Sequence, residues 1–496
     1  MPCLPTSVST HRIALVSRYG QFSKVRCNLF TNVAEILVGA DSENSQFVIF
    51  LQKLSFRTTI LSRVGQTIML LKVTIGNFKS FREKATLSLE ATSDDLREDD
   101  NIAHNLAWGL RLVKAAAIYG PNAGGKSNFI EAIRLFRELI LGSSKDSQKG
   151  QAIPVTPFRL HSSTEAAPTF FEVVFLKNGT RYRYGFETTQ QAIVSEWLFK
   201  QTNSIRETCL FTRENGGITP RIAFKEGKGL EERTRPNALF LSVVAQFNGR
   251  IAGEVVSLID QFRTISGLNS VGYMSYTSGL LNDKYYGAAI RELVRQADTG
   301  IEDLIRRDID KDQVIEKIPK EFPDALRDLI AEGVVGASIV KTVHQRFDSN
   351  DLPSGKVEFD LGTEESAGTR QFLAFAGPFL HTLRTGAVLV VDEFDASLHP
   401  LLTRQLIGLF NSSANRKNAQ LIFATHDEGL LDQRKIRRDQ IWFVEKNEKG
   451  ASSLYCLDEI KSVRKDANFE KEYLLGQFGG VPRVGDLQEA ILHVED

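Results

Sequence analysis

Gly120-Pro-Asn-Ala-Gly-Gly-Lys126-Ser127 is the stretch that decides the fold of this chain. It follows a short apolar run, Ala115–Tyr119, and a helical pattern begins at Asn128. Strand, glycine-rich loop and helix in this order are the setting that a phosphate-binding loop requires. Glycines let the backbone wrap a phosphate, and the helix N-terminus adds a partial positive charge.

This loop supplies most of the predicted phosphate contacts. Lys126 is placed for the β- and γ-phosphates of a nucleotide, and the Ser127 hydroxyl is placed for Mg²⁺. The residues predicted to contact the nucleotide are Gly120, Pro121, Asn122, Ala123, Gly124, Gly125, Lys126, Ser127 and Asn128. The alternative is a glycine-rich turn that binds nothing, and the flanking strand and helix argue against it.

A second group of candidate residues follows another apolar run. Ala387–Val391 is apolar throughout, as expected of a central strand buried on both faces, and it ends in Asp392 and Glu393. The carboxyl ends of such strands are where α/β folds bind ligands. Asp392 is predicted to hold Mg²⁺, and Glu393 to orient and deprotonate an attacking water. A solvated Asp–Glu pair is the alternative.

Two further segments add candidate phosphate contacts. Ser366 and Gly368 precede a helical run to about Leu383, and such a helix start offers an anion free N–H groups, a hydroxyl and a dipole. Simple helix capping is the alternative. His426 follows the apolar strand Gln420–Ala424, where it is predicted to contact the γ-phosphate and the water. A structural hydrogen-bonding histidine is the alternative at that position.

The bulk composition limits the class of protein. The 496 residues are enough for roughly two to four domains. With 61 basic and 61 acidic residues the net charge is zero, so no overall field favours nucleic acid or an anionic membrane. The four cysteines form no CxxC pair, which fits a reducing compartment. No apolar run reaches the ~18 residues that span a bilayer, so we expect a cytoplasmic protein without a membrane partner.

The chain between the two groups changes from a β pattern to a helical one. Phe170–Leu176 and Arg181–Phe186 are joined through Asn178-Gly179, which predicts a β-hairpin. Strand patterns at 192–198 and 207–212 extend the same antiparallel patch. After residue 237 the apolar spacing becomes helical, and helices are predicted at 239–247, 252–262, 286–297 and 324–331.

The first 68 residues differ from the rest. They lack helix caps and sustained periodicity, and a methionine, Met69, stands directly before the first clear strand pattern. We expect residues 1–68 to be a non-native or disordered extension that arises from an upstream start. A targeting segment and a genuine extra element are the alternatives.

Four elements in one order resemble the core of ABC-type ATPases: the phosphate loop, Ser366-Ala-Gly368, Val388–Glu393 and His426. Within that class the chain resembles the AAA-type ATPases allied to the RecF and SMC heads and to the OLD-family ATPases. Asn77-Phe-Lys-Ser-Phe81 is similar to the RecF and SMC first-strand signature. The phosphate loop is similar to their Walker A motif, Asp392 to Pro400 to their Walker B and D-loop, and His426 to their switch histidine.

The resemblance covers residues 69–484 and implies an α/β fold with an ABC-type P-loop NTPase core. Such a core has a mixed sheet with flanking helices, an antiparallel β patch, and here a helical lid inserted between Walker A and the signature. The expected divisions are a first lobe at 69–236, a helical insertion at 237–345, a second lobe at 346–484 and a tail at 485–496.

The resemblance also implies a mechanism. ATP and Mg²⁺ bound at one Walker A loop would be closed over by Ser366 and Gly368 of a second copy in a head-to-head homodimer, with Ser397–His399 crossing the interface. The implied activity is ATP hydrolysis to ADP and phosphate. The implied output is control of a separate, nuclease-like effector, as in stand-alone ATPase subunits of phage defence. The signature departs from the family pattern, reading ESAGT in place of LSGGQ.

Two other functions stay open at this point. A RecF-type DNA-repair clamp would need a basic groove, for which Arg434-Lys-Ile-Arg-Arg438 is the candidate, and a solvated charged face is the alternative there. DNA as a partner therefore stays open. A non-hydrolysing scaffold would use ATP only to fold or to dimerise, and Glu393 argues against it.

Overall fold

The structure is a computed structural model that describes residues 26–28, 33–38, 47–53, 68–104, 106–202, 206–268, 271–297, 299–310, 312, 335–461, 463 and 467–482. The chain divides into two compact units. The larger unit comprises Gly65–Gly267, Thr382–Ala396 and Pro400–Asp496, and the smaller unit comprises Met1–Val64, Leu268–His381 and Ser397–His399.

The strands are numbered in chain order. They are β1 (Arg26–Asn28), β2 (Val33–Val38), β3 (Phe47–Lys53), β4 (Ile68–Gly76), β5 (Ala85–Ser88), β6 (Ile102–Ala103), β7 (Leu112–Val113), β8 (Ala115–Tyr119), β9 (Thr169–Lys177), β10 (Thr180–Thr188), β11 (Ile193–Thr202), β12 (Thr208–Glu214), β13 (Gly217–Pro220), β14 (Phe262–Ser266), β15 (Ile301–Ile309), β16 (Val335–Phe347), β17 (Pro353–Asp360), β18 (Val388–Asp392), β19 (Gln420–Ala424), β20 (Ile441–Lys446) and β21 (Ser452–Cys456).

The α-helices of the described residues are numbered in the same way. They are α1 (Glu98–Asn101), α2 (Lys126–Gly142), α3 (Ser162–Glu165), α4 (Phe240–Gln246), α5 (Arg250–Ile259), α6 (Val271–Leu280), α7 (Tyr286–Arg295), α8 (Ala367–Thr385), α9 (Pro400–Phe410) and α10 (Phe469–Leu474).

A mainly parallel sheet forms the centre of the larger unit. Its strand order is β14-β18-β19-β8-β20-β21, with only β21 antiparallel to its neighbour. Strands β8 and β19 are buried along their whole length, as expected of parallel strands covered on both faces. Because parallel strands end at the same edge, Tyr119, Asp392 and Ala424 all lead into loops at that edge.

The larger unit also contains an antiparallel sheet of seven strands, in the order β13-β12-β11-β10-β9-β4-β5. The predicted hairpin is confirmed as β9 and β10. Asn178 and Gly179 turn the chain with φ values of 47° and 78°, the left-handed pair that a tight hairpin turn requires. The strands predicted at 192–198 and 207–212 are confirmed as β11 and β12 of the same sheet.

Helix α2 packs into a core that includes side chains of both sheets. Its apolar side chains recur at three- and four-residue steps, so one face is buried. Phe136 stacks on Phe186 of the antiparallel sheet with ring centroids 5.6 Å apart, and Phe129 meets Phe81 edge to face. The same cluster includes Val390 of the parallel sheet. This packing fixes the start of α2 at the functional edge of the parallel sheet.

The smaller unit contains a third sheet with the order β1-β2-β3-β16-β15, in which β17 also pairs with β16. Helix α8 carries Pro378 in its interior, and proline cannot donate to the carbonyl one turn earlier, that of Ala374. Thr277 of α6 fills this gap, since its hydroxyl donates to Ala374 O at 3.1 Å and accepts from Gly377 N at 3.1 Å.

The structure differs from the expected helical insertion at 237–345. Helices α4 and α5 belong to the core of the larger unit, and β14 after them joins the parallel sheet beside β18. The part that follows residue 267 combines α6 and α7 with the strands β15 and β16. β15 pairs antiparallel with β16, the next strand in the chain, and the apolar spacing did not indicate this pairing. The helix predicted at 324–331 lies outside the described residues.

Part of the expected extension at 1–68 has regular backbone structure. Strand β3 pairs antiparallel with β16, from Val335 opposite Lys53 to Ser338 opposite Phe50. Strands β1, β2 and β3 pair in chain order within this segment, and the origin of residues 1–68 as a non-native or disordered extension stays a prediction. The tail at 485–496 lies outside the described residues. Among the helices that the structure describes, none is both long and apolar enough to cross a membrane.

Candidate active site

The glycine-rich loop connects β8 directly to α2. Gly120 has a φ of 153°, and a side chain there would place its Cβ 2.2 Å from the carbonyl oxygen of Val444 on β20. Only glycine fits this close approach. At the other end of the loop, Gly125 precedes α2 without giving it a side-chain cap. The first N–H groups of this helix thus lack the capping that helix starts commonly have, which suits an anion.

Two serines outside the loop hold it in place. The Ser452 hydroxyl donates to Gly124 O at 2.6 Å, and Ser452 N donates to Ser80 O at 2.7 Å. The Ser80 hydroxyl accepts a hydrogen bond from Asn128 Nδ2 at 2.8 Å. Sequence reasoning assigned neither serine to the site. Ser80 lies inside the quoted motif 77–81, which was a usable signal, whereas Ser452 had none.

Lys126 is buried within the loop, with 6% of its surface exposed. Its ammonium donates to Gly120 O at 2.7 Å and to Pro121 O at 3.2 Å. Burial lowers the pKa of Lys126, while the nearby charges of Asp392 and Glu393 act in the opposite direction. A phosphate in the loop would give this ammonium a charged acceptor in place of neutral carbonyls, which is a stronger hydrogen bond.

Ser127 and Asp392 are far apart in the sequence but close together in the structure. The Ser127 hydroxyl donates to Asp392 Oδ1 at 3.1 Å, and burial raises the pKa of Asp392. Hydroxyl and carboxylate oxygens are ligands that Mg²⁺ prefers, and a bound dication would oppose the upward pKa shift. The pair therefore fits Mg²⁺ shared with a nucleotide. Among the described residues, no larger cluster of His, Cys, Asp and Glu is placed to hold a metal by itself.

Glu393 occupies an unusual backbone conformation at the end of β18. Its φ is 48°, a left-handed value that non-glycine residues seldom adopt and that recurs at functional sites. Gly267 makes room for this turn, because its N–H donates to Asp392 O at 2.8 Å and a Cβ there would lie 1.9 Å from Glu393 O. Burial, and then the charge of Asp392, raises the pKa of Glu393. No sequence pattern pointed to Gly267.

His426 follows β19 at the same edge of the sheet. Its backbone N–H donates to Asp395 Oδ2 at 3.1 Å, so the segment after Glu393 holds the histidine in place. Burial, and then the charge of Lys126, lowers the pKa of His426 and favours the neutral ring. A neutral imidazole can both donate and accept a hydrogen bond.

These groups surround one concavity of about 120 Å³. Its lining consists of residues 121–128 together with Glu393 and His426. The structure thus brings the predicted loop, carboxylate and imidazole to one place, and Asp392 reaches the same place through Ser127. A cation, helix N–H groups and carboxylates around one small space are the groups that nucleotide hydrolysis requires.

Ser366 and Gly368 belong to the smaller unit and do not line that concavity. The Ser366 hydroxyl accepts a hydrogen bond from Thr369 N at 3.0 Å, so the capping alternative describes its local role. At Gly368, a Cβ would lie 2.9 Å from the carbonyl oxygen of Ser397, so the start of α8 packs closely against the D-loop segment. The phosphate contact predicted for these two residues stays a prediction.

The basic run 434–438 does not form the groove that the DNA-clamp alternative needs. Arg437 is 1% exposed and pairs with Asp439 at 2.6 Å, and Arg438 pairs with Asp458 at 3.0 Å. Only Arg434 and Lys435 in this run are exposed. The run leads into a short 3₁₀ turn and then β20, and this packing turns two of its arginines inward.

Comparisons with known proteins bear on the same residues. A family model described as "AAA domain, putative AbiEii toxin, Type IV TA system" matches residues 115–432, which include every predicted site residue, and confirms the expected AAA-type core. A comparison with curated proteins finds no match.

Two solved structures are similar to this chain. One is the SMC head domain from Thermotoga maritima, with 14% identity, a TM-score of 0.34 and coverage of 78% of this chain and 98% of that chain. The other is the recombination mediator protein RecF of the RecFOR pathway, with 12% identity, a TM-score of 0.31 and coverage of 79% of this chain and 100% of that chain. Both likenesses are too distant to carry an argument.

Proposed function

The chain belongs to the AbiEii-type family of AAA domains, and on this premise we propose that it is an ATP-gated switch. It binds ATP with Mg²⁺, hydrolyses ATP to ADP and phosphate, and works as a homodimer. The observation that carries the proposal is the single concavity lined by the phosphate loop, Glu393 and His426.

The loop and the start of α2 bind the phosphates. Lys126 supplies a cation, and the uncapped N–H groups of α2 supply further donors. Ser127 and Asp392 would hold Mg²⁺, which neutralises phosphate charge when it is bound. The loop has its shape before a nucleotide binds, because the Ser452 hydroxyl already holds Gly124.

Glu393 and His426 act on the attacking water and the γ-phosphate. The raised pKa of Glu393 brings it closer to neutral pH, which makes it a better proton acceptor than an ordinary carboxylate. The neutral ring of His426 is free to hydrogen-bond the γ-phosphate, and Asp395 keeps its backbone in place.

A second copy completes the site. Asn122, Ala123 and Ser127 are exposed at the rim of the concavity, so a bound nucleotide would remain open to water on that side. Hydrolysis benefits from the exclusion of bulk water. The partner copy's Ser366 and Gly368, at the start of its α8, supply the cover and additional phosphate contacts in this proposal.

The output of the switch is a separately encoded effector. The family description names a toxin of a type IV TA system, which supports a role in a defence module with more than one component. We place this module in the cytoplasm and regard phage defence through a nuclease-like effector as its function. The DNA clamp is the alternative, and the inward-facing Arg437 and Arg438 do not support it. Salt-dependent DNA binding that requires Arg434 and Lys435 would favour the clamp.

The variant Glu393→Gln tests the catalytic proposal. It keeps the shape of the side chain but removes the base, so we expect ATP binding to persist while hydrolysis falls about 10³-fold. The stalled protein should also accumulate as a dimer with ATP. Phosphate release and light scattering with and without ATP measure the two effects.

Glu448→Gln is the matched control, because Glu448 is exposed and lies outside the concavity. It should turn over ATP like the wild type. Normal turnover in Glu393→Gln would refute the assignment of the base, and a monomer at saturating ATP would refute the gated dimer.

A further inference from the structure

Glu365, the residue directly before Ser366, is held by two side chains of β16. His344 Nε2 lies 2.7 Å from Glu365 Oε1, and the Thr342 hydroxyl donates a hydrogen bond to the same oxygen. His344 Nε2 also lies 3.1 Å from Thr342 Oγ1, so the side chains of all three residues contact one another. Thr342 is fully buried, and the Glu365 side chain is 9% exposed. A buried carboxylate is thus fixed next to the signature serine.

The sheet of the smaller unit fixes His344 in turn. β16 pairs on one side with β15, where Ile301 lies opposite His344, and on the other side with β17. The ring of Phe359 on β17 packs against the His344 ring with centroids 4.6 Å apart. The imidazole therefore has little freedom to turn away from Glu365, and a change in the pairing of β16 would move it.

Arg370 ties the backbone of the same segment to α8. Its guanidinium donates to Glu365 O at 2.7 Å and to Gly362 O at 3.0 Å. Arg370 of α8 thus binds the carbonyl of Glu365, while the side chains of β16 bind its carboxylate. Ser366 follows within one peptide bond, so its position depends on both contacts.

Stability alone does not call for this cluster. Taking a carboxylate out of water costs free energy that an ion pair often fails to recover, and an apolar residue could fill the same space. Ser366 already caps α8 without help from Glu365. A buried polar cluster of this kind is better suited to fixing one geometry than to adding stability.

We propose that Thr342, His344 and Glu365 are positioning residues through which the sheet of the smaller unit sets the orientation of Ser366. The sheet thereby controls whether the signature can close over the ATP of a second copy. This inference rests on the proposed function, since it assumes that Ser366 acts across a dimer.

Mixed dimers test the inference, because they separate the subunit that hydrolyses from the subunit that lends its signature. A trace of a hydrolysing subunit is mixed with a large excess of Glu393→Gln subunits, which bind ATP but do not hydrolyse it. Phosphate release in the first turnover, at saturating excess, then reports only on ATP held by the trace subunit and closed by the excess subunit.

His344→Ala is placed first in the excess subunit and then in the trace subunit. We expect hydrolysis to slow on the order of 10-fold in the first arrangement, because the signature that closes the active site is misplaced. In the second arrangement the rate should match the wild type. His344→Gln, which keeps an N–H donor for Glu365, should restore part of the rate, and the Kd for ATP of each variant should stay unchanged.

Two controls accompany this pair. Arg307→Ala removes an exposed ion pair with Glu358 from the same sheet without touching Glu365, and it should be silent in both arrangements. Ser366→Ala tests the proposed function itself, and it should slow hydrolysis only from the excess subunit.

Each other outcome overturns a stated claim. Equal slowing by His344→Ala in both arrangements would mean a general folding defect and would refute the positioning role. If His344→Ala does not change the rate of hydrolysis while Ser366→Ala slows it, the inference is refuted and the proposed function stays intact. If Ser366→Ala does not change the rate of hydrolysis, closure across the dimer is refuted, and the inference is refuted with it.

Discussion

Two helix N-termini in this chain carry the predicted phosphate contacts, and they are built differently. Helix α2 begins after a glycine loop with no side-chain cap, and a lysine, a serine and two carboxylates stand around its first turn. Helix α8 begins at Ala367 with its first turn already capped by Ser366, and its approach is fixed by Glu365 and Arg370.

The difference shows what each terminus can do alone. Around α2, a cation, the proposed metal ligands and the candidate base are all present, so we propose that one chain binds a nucleotide there. At α8 a dipole, N–H groups and the hydroxyls of Ser366 and Thr369 are available, while the Arg370 guanidinium is engaged by backbone carbonyls. These groups make a weak anion site by themselves. We infer that α2 provides affinity and that α8 provides closure, and the next two predictions test this division.

The largest expected effect is on ATP affinity. Lys126→Ala removes a charge-assisted hydrogen bond to phosphate, worth about 2 to 3 kcal/mol, so the Kd for ATP should rise about 100-fold. Ser366→Ala should leave the Kd unchanged, since α8 contributes no affinity within one chain. Titration with a fluorescent ATP analogue at low protein concentration measures both. A comparable loss in Ser366→Ala would break the comparison.

A smaller effect is expected on hydrolysis at saturating ATP. Gly368→Ala drives a Cβ to within 2.9 Å of the backbone oxygen of Ser397, so the start of α8 must shift. We expect hydrolysis to fall about 10-fold without a change in ATP affinity, as the closing surface moves.

Gly408→Ala is the matched control for this substitution. Gly408 lies in α9, where a Cβ meets no atom within 4 Å. Alanine there should stabilise the helix by roughly 0.5 to 1 kcal/mol and leave hydrolysis intact. Unchanged hydrolysis in Gly368→Ala would show that the start of α8 need not be fixed.

The smallest expected effect is on stability. Thr277→Val removes the hydroxyl that serves Ala374 O and Gly377 N beside Pro378, so a buried carbonyl loses its partner. We expect a loss of about 1 kcal/mol in the free energy of unfolding, measured by denaturant titration. Thr277→Ser keeps the hydroxyl and should lose less. A larger loss in Thr277→Ser than in Thr277→Val would show that packing of the methyl group, and not the hydrogen bonds, supports α8 beside Pro378.

Local sequence patterns predicted the structural elements that depend on neighbouring residues. The phosphate loop, the hairpin turn at Asn178-Gly179 and the largely apolar strands β18 and β19 were all predictable because each depends on a few neighbouring residues. The same reasoning missed β15, because the apolar spacing does not indicate its pairing with the next strand, β16. It also gave no sign that β16 pairs with β3, which lies far away in the chain. It also failed for Arg437, whose buried partner Asp439 is decided by packing.

Three features could be predicted from the amino-acid order alone: the phosphate-binding loop, the strand that ends in Asp392 and Glu393, and membership of an AAA-type family. These follow from glycine geometry and from the apolar character of central strands. The tertiary structure alone decided that Gly267 must lack a side chain beneath Glu393, that Ser80 and Ser452 hold the loop, and that His344 reaches Glu365. Each is a contact between segments distant in the chain, and packing in three dimensions is what brings such segments together.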